Sequence, residues 1–312
     1  MAVRVVVAGN TREETEAWRC RFARVVPGIE FMAWGDDDTG PDADYAIVWK
    51  PPREFFPRQP GLKAVFNLGA GVDSLMAMPG LPPDLPVVRL EDAGMARQMV
   101  QYVLHGLAEV SRGFDQYAAH QRAGRWAPLE GIAYHEWPVG VMGLGMLGSE
   151  VAQAIAQAGY PVAGWSRSQR QIAGVDTFSG EEGLEQLLAR TRVLVNILPL
   201  TPDTENLLNH RNLVKLLPGA YVINVARGAH VVDEDLLALI DAGHLQGALL
   251  DVFRHEPLPA DHPYWRHPRV RVTPHVAAAT LEDETVKQIA QKIQALERGQ
   301  AITGVVARGR GY

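Results

Sequence analysis

Apolar residues in this chain fall into short continuous runs separated by longer stretches of helical spacing. The run Val3–Ala8 is apolar except at Arg4 and predicts a strand buried on both faces of a parallel sheet. After the turn Gly9-Asn10, Thr11 is placed to cap a helix reaching about Val25. Residues 28–34, 43–49, 63–68 and 87–90 read as further strands, with turn signals at 36–41, 51–52 and 79–86. Strands alternating with helices imply a parallel sheet, here in a first α/β domain of about a hundred residues that ends before Met95. Residues 95–125 lack proline and carry Met99, Val103, Leu107 and Val110 at helical spacing, which predicts one long helix with an interruption at Gly113. A helix of that length must bury a second face, against another domain or another subunit.

The second half repeats the alternation around a more specific element. Val139–Met142 is an apolar strand that breaks into Gly143-x-Gly145-x-x-Gly148 and continues as a helix ended by Gly159, with residues 161–165 as the next strand. In this setting Gly143 permits a tight turn, Gly145 lets a pyrophosphate approach the backbone, and Gly148 lets the helix lie on the sheet. The N–H groups around Met146 and Leu147 then face an anion. Strands at 193–198, 220–226, 247–253 and 270–273 alternate with helices at 183–190, 211–217 and 233–242, the last with Asp233 as its expected cap. A final helix runs from Leu281 to about Arg298, and it and the tail could return to the first domain.

Composition narrows the function classes. The chain is 47% hydrophobic and 21% charged, as in an ordinary globular protein, and its net charge of −6 gives no footprint for nucleic acid or an anionic membrane. No apolar run approaches the ~20 residues of a membrane helix, and the N-terminus reads as a strand rather than a leader. A single cysteine, Cys20, excludes an internal disulfide and a cysteine metal cluster; it sits in a helical pattern and reads as a packed small hydrophobe. A cytoplasmic setting and no metal are expected.

The candidate chemistry lies at strand ends. About twenty residues past the glycine turn, where an Asp or Glu would hold a ribose 2′-hydroxyl, stand Ser166, Arg167 and Ser168. A guanidinium flanked by hydroxyls suits a 2′-phosphate, so NADPH is preferred over NADH. Three later strands end in Arg227, Glu256 and His275. A cation to hold a substrate carboxylate, an imidazole to donate a proton and a carboxylate to orient it are what hydride transfer to a 2-oxoacid requires. His210, His230, His244, His255, His262 and His267 read as ordinary loop residues. In the first domain, Trp49-Lys50-Pro51-Pro52 and the glycine loop 69–72 follow strands; Trp49 can line a pocket or pack in the core, and the loop can turn its amides toward an anion.

These motifs carry a family resemblance. VGVMGLGMLG, ILPLTPDT, LLPGAYVINVARG, GALLDVF, EPLP and VRVTPHVAAAT together resemble the D-isomer-specific 2-hydroxyacid dehydrogenases along nearly the whole chain. Within that family, WKPP, NLGAGVD, GWSRS and RGRGY look like the branch that reduces glyoxylate and hydroxypyruvate. The resemblance implies an α/β protein of two doubly wound parallel-sheet domains. A Rossmann NAD(P)-binding domain, 97–280, would be inserted into a flavodoxin-like substrate domain, 1–96 and 281–312, with a cleft between them and a homodimer as the assembly. It implies Arg227, Glu256 and His275 as the catalytic set, and Trp49, Ala70, Gly71 and Val72 with Arg227 and His275 around the substrate. It also implies Leu198, Pro199, Thr201, Val225, Ala226, Asp251 and Ala277 beside the cofactor with Arg227 and His275. Two departures matter: Ser166-Arg167 replaces the usual acidic residue, and Met95-Ala96-Arg97-Gln98 differs from the common pattern. Formate dehydrogenases of the superfamily pair the histidine with Gln, so Glu256 argues against that reaction. The rival readings are a reductase of larger 2-oxoacids and a dinucleotide-sensing protein with little turnover.

Overall fold

The computed structural model describes residues 2–35 and 43–308; the turn expected at 36–41 and the last four residues of RGRGY lie outside the described residues. The chain divides into two compact units, one made of the segments up to Gly94 and from Thr280 onward, the other of Met95–Ala279.

The first unit begins β1 (Val3–Ala8), α1 (Arg12–Val25), β2 (Ile29–Ala33), β3 (Tyr45–Val48), β4 (Ala64–Asn67), α2 (Asp73–Met76) and β5 (Val87–Val88). Its sheet is fully parallel with order β2-β1-β3-β4-β5, the flavodoxin-type winding. The apolar runs are continuous because both sheet faces are covered. Val5, Val7, Ile47 and Phe66 pack with Phe22 of α1 and with Ile289 and Ile293 of the C-terminal helix, while Val6, Val48 and Val65 pack with Phe55 and Phe56 on the other face. Thr11 caps α1 by accepting the Glu14 N–H. The tail residues 304–306 bond along β5, the Val306 N–H to the Val87 carbonyl at 2.8 Å and the Arg89 N–H to the Gly304 carbonyl at 2.9 Å.

The second unit contains α3 (Met95–Arg112), α4 (Phe114–Arg122), β6 (Val139–Met142), α5 (Met146–Gln157), β7 (Val162–Ser166), β8 (Asp176–Ser179), α6 (Gly180–Leu188), β9 (Val193–Asn196), α7 (His210–Leu213), β10 (Ala220–Asn224), α8 (Asp233–Asp241), β11 (Leu245–Leu250) and β12 (Val270–Val272); α9 (Glu282–Glu297) then belongs to the first unit. The seven strands are parallel in the order β12-β11-β10-β9-β6-β7-β8, a doubly wound sheet whose winding reverses at β6. The buried face of α3, Met99, Val103, Leu107 and Val110, packs on this sheet, and Gly106 allows the approach, since a Cβ there would meet Leu249 at 2.6 Å.

The interruption expected at Gly113 is present: the residue takes φ +63° and divides the 95–125 stretch into α3 and α4. Other expectations need correction. Asp233 is the first residue of α8 and Val232 its cap; the Asp233 carboxylate instead accepts the Tyr264 hydroxyl at 2.9 Å. Cys20 is exposed rather than packed, because it lies on the outer face of α1 beside Glu16 and Arg19. The strand β8 has no counterpart among the expected elements: it is a sheet edge with no buried residue, so it carries no apolar run.

Candidate active site

The glycine turn is built as the sequence pattern requires, each glycine for a different reason. Gly143 takes φ +105°, and a Cβ there would lie 2.8 Å from the Ile197 carbonyl oxygen. A Cβ on Gly148 would lie 1.8 Å from the Gly143 carbonyl oxygen, so only glycine lets α5 start this close to β6. Gly145, the residue before α5, has nothing within 4 Å of the same position. The one glycine that packing does not demand is thus the one whose missing side chain leaves a helix N-terminus open to an anion. Met146 is half exposed, Leu147 partly buried. At the end of β7, Trp165 Nε1 donates to the Gly180 carbonyl at 2.7 Å and Ser166 Oγ to the Ser168 carbonyl at 2.9 Å, and Arg167 and Ser168 are exposed.

The ends of β9 and β10 are tied together below the surface. Asn196 and Asn224 are fully buried, with Asn196 Nδ2 donating to Asn224 Oδ1 at 3.0 Å; Asn224 Oδ1 also accepts the Ala226 N–H, and its Nδ2 donates to the Arg227 carbonyl. Leu198, Val225 and Ala226 are buried. Thr204 Oγ1 donates to the Pro199 carbonyl at 2.7 Å and accepts the Thr201 N–H at 2.8 Å, which shapes the 198–204 loop. The Arg227 side chain turns back to its neighbour's backbone, Nη1 donating to the Ala226 carbonyl at 2.8 Å. Gly228 fits only as glycine, because a Cβ would overlap the backbone of Phe253 and Arg254, and this contact sets the loop after β10 against the loop after β11.

That second loop carries Glu256, joined to Pro257 by a cis peptide bond. Its carboxylate has two tasks. Oε1 accepts the Phe253 N–H at 3.0 Å, and Oε2 lies 2.8 Å from His275 Nδ1. His275, just past β12, adopts φ +56°, a left-handed conformation uncommon outside glycine. Its N–H donates to the Asp251 carbonyl at 2.8 Å. Asp251, 1% exposed, accepts the Val276 N–H and the Thr273 hydroxyl at Oδ1 and the N–H of the buried Ala277 at Oδ2.

The structure therefore brings Glu256 and His275 into direct contact and ties the backbone of His275 and Ala277 to Asp251. In the first unit, Trp49 is 38% exposed and its ring covers Gly69, where a Cβ would meet it at 2.6 Å. Gly69 is thus spared a side chain by the indole, not by a left-handed backbone. Asn67 Nδ2 donates to the Gly69 and Gly71 carbonyls at 3.0 and 2.9 Å and so fixes the loop of Ala70, Gly71 and Val72. Sequence reasoning missed the Asn196–Asn224 pair, whose signal was an asparagine closing each of two otherwise apolar strands. It also misjudged His230, which is fully buried, its ring nitrogens 3.1 Å from the Arg227 carbonyl and 3.3 Å from the Pro199 carbonyl. Among the described residues, no group of three His, Cys, Asp or Glu could hold a metal, and no helix is long and apolar enough to cross a membrane.

Comparison with known proteins places this geometry. The family model for D-isomer specific 2-hydroxyacid dehydrogenase, NAD binding domain, matches residues 104–277. The chain is 45% identical to glyoxylate/hydroxypyruvate reductase A of Klebsiella pneumoniae over 96% of this chain and 97% of that protein. It superposes with a TM-score of 0.94, at 38% identity and full coverage of both chains, on a D-isomer specific 2-hydroxyacid dehydrogenase of Xanthobacter autotrophicus crystallised with NADPH and MES. An NADPH-dependent glyoxylate/hydroxypyruvate reductase of Sinorhizobium meliloti, solved with NADP and sulfate, matches with a TM-score of 0.92 at 37% identity, over 99% of this chain and 100% of that one.

Proposed function

Because the chain belongs to the D-isomer-specific 2-hydroxyacid dehydrogenase family, we propose that it reduces small 2-oxoacids with NADPH, converting glyoxylate to glycolate and hydroxypyruvate to D-glycerate. The observation that carries this reading is the 2.8 Å contact between His275 Nδ1 and Glu256. With Nδ1 held by the carboxylate, Nε2 is the atom left to give a proton to the oxygen of the reduced carbonyl. Glu256 cannot turn away, since its other oxygen is occupied by the Phe253 amide. Arg227 is assigned to the substrate carboxylate and to polarising the adjacent carbonyl, a role suited to a planar guanidinium. The amides of Ala70, Gly71 and Val72 and the Trp49 ring are assigned to the substrate on the family resemblance.

The residues present fit NADPH. The open position at Gly145 and the start of α5 would receive the pyrophosphate, with Met146 and Leu147 amides beside it, and Ser166, Arg167 and Ser168 the 2′-phosphate. Leu198, Pro199, Thr201, Val225, Ala226, Asp251 and Ala277 would line the remainder. When bound, NADPH supplies the hydride. We place the protein in the cytoplasm as a homodimer, for which light scattering should give twice the chain mass.

The test is the initial rate of NADPH oxidation with glyoxylate and with hydroxypyruvate, repeated with NADH. Turnover with NADPH well above that with NADH is expected. His275→Ala should lower kcat by about a hundredfold or more while NADPH still binds. NADPH binding without turnover of either acid in the unmodified protein would overturn the assignment in favour of a larger 2-oxoacid or a sensing role.

A further inference from the structure

His275 holds a left-handed backbone that a non-glycine residue adopts only when its surroundings compel it. Apart from the Thr273 carbonyl, which shares the His275 N–H at 3.0 Å, the backbone contacts of this turn converge on Asp251. Its carbonyl accepts the His275 N–H at 2.8 Å, and its carboxylate accepts the next two amides, Val276 at 2.8 Å and Ala277 at 2.9 Å. The fourth bond to Asp251 comes from a side chain, Thr273 Oγ1, at 2.6 Å. A threonine hydroxyl has one proton, and here it points to the carboxylate, so the oxygen is left as an acceptor. The group that meets it is the hydroxyl of Tyr102, at 2.5 Å.

The direction of each bond follows from this inventory. Thr273 Oγ1 donates its one proton to Asp251 Oδ1, so in the bond between the two hydroxyls Tyr102 must be the donor. Burial pushes the Tyr102 phenol up to about 12, which keeps that proton in place across the working range of pH. Tyr102 sits on α3, partly buried against the core cluster that holds Met99, Val103 and Leu107 of the same helix. The chain of bonds therefore runs from a helix locked in the core to the segment that carries the proton donor.

We propose that Tyr102 is a positioning residue for His275, acting through Thr273 and Asp251 to hold the 273–277 segment and so to keep the imidazole on Glu256. This rests on the reductase reading for its catalytic consequence but not for its structural one. Without the Tyr102 hydroxyl, Thr273 regains freedom to rotate, Asp251 loses a fixed donor, and the left-handed turn at His275 loses part of its support.

The experiment uses the full chain with Tyr102→Phe, Thr273→Val, Thr273→Ser and the Phe/Val double variant. Hydrogen–deuterium exchange of the peptide covering 273–277 should rise about five- to tenfold in Tyr102→Phe, the size expected for one lost hydrogen bond, with exchange in the sheet strands unchanged. This measurement is independent of substrate, and unaltered exchange at 273–277 would overturn the proposal even if the enzyme reduced a different oxoacid. In turnover, Tyr102→Phe should lower kcat about five- to tenfold with the KM for NADPH within twofold, and the solvent deuterium isotope effect on kcat should increase as proton donation becomes slower. A simple loss of folded enzyme would scale kcat without moving the isotope effect, and that result would refute the positioning role. Thr273→Ser, which keeps the hydroxyl, should recover most of what Thr273→Val loses. The double variant should be no worse than Thr273→Val alone; additive losses would show that Tyr102 does not act through Thr273.

Discussion

Replacing Gly145 and Gly148 separately by alanine should divide cofactor binding from folding within a single turn. At Gly145 a methyl group has nothing within 4 Å, and the backbone there, φ −74° and ψ −165°, is one alanine adopts freely. Stability should therefore change by less than about 0.5 kcal/mol. The methyl would occupy the approach of a pyrophosphate to the start of α5. Displacing that group from two backbone N–H donors, at about 1.5 kcal/mol for each charge-assisted bond, weakens NADPH binding by about 3 kcal/mol, roughly 150-fold. At Gly148 the methyl would lie 1.8 Å from the Gly143 carbonyl oxygen and 2.9 Å from Ile197 Cγ2, so the start of α5 must retreat by more than an ångström. Overpacking of this kind costs about 2 kcal/mol, and the melting temperature should fall by about 6 °C. Thermal melts and NADPH fluorescence titrations of the two variants decide the matter. A Gly145→Ala protein that binds NADPH as the unmodified chain does, or one that melts as low as Gly148→Ala, would refute the division of roles.

Three further outcomes follow from particular contacts. Glu256→Gln removes the charge facing His275 Nδ1 and sets an amide nitrogen against one of its two present donors; because these side chains are 45% and 35% exposed, the loss should be modest, about 1–2 kcal/mol, seen as a five- to thirtyfold fall in kcat/KM with NADPH affinity retained. Arg167→Ala should lower the preference for NADPH over NADH by roughly 30-fold, about 2 kcal/mol, and an unchanged ratio of the two cofactors' kcat/KM values would remove Arg167 from the 2′-phosphate site. In the first unit, the Arg4 N–H at 2.9 Å and then the Lys63 ammonium at 2.9 Å hold the Asp44 carboxyl below its usual range. A folded value lower than the unfolded one adds stability above about pH 4 that disappears as pH falls through the folded value. Asp44→Asn should accordingly cost about 1 kcal/mol in urea melts at pH 7, and the gap from the unmodified protein should close in acid.

The linear pattern of residues determined most of the element order and the chemistry at the strand ends. Val5–Val7, Val139–Met142 and Val193–Val195 are apolar at consecutive positions because their strands are covered on both faces, and that requirement is visible residue by residue. The three glycines of the turn are legible for the same reason: each answers a local demand of φ, of ligand approach or of helix–strand distance. Elements that satisfy no such local demand left no trace. The edge strand β8 has no buried residue, and the cap of α8 is a valine whose side chain does no capping. Only the tertiary structure decided which polar groups meet. The bonds from Tyr102 to Thr273, from Thr273 to Asp251 and from His275 to Glu256 span separations of 171, 22 and 19 residues. The buried His230 ring lies between the Arg227 and Pro199 carbonyls, of which the second is 31 residues away along the chain. Hydrophobic periodicity reports burial of a face, a property of one segment, whereas a directional hydrogen bond between distant segments depends on register and loop path, which arise only once the sheet has assembled.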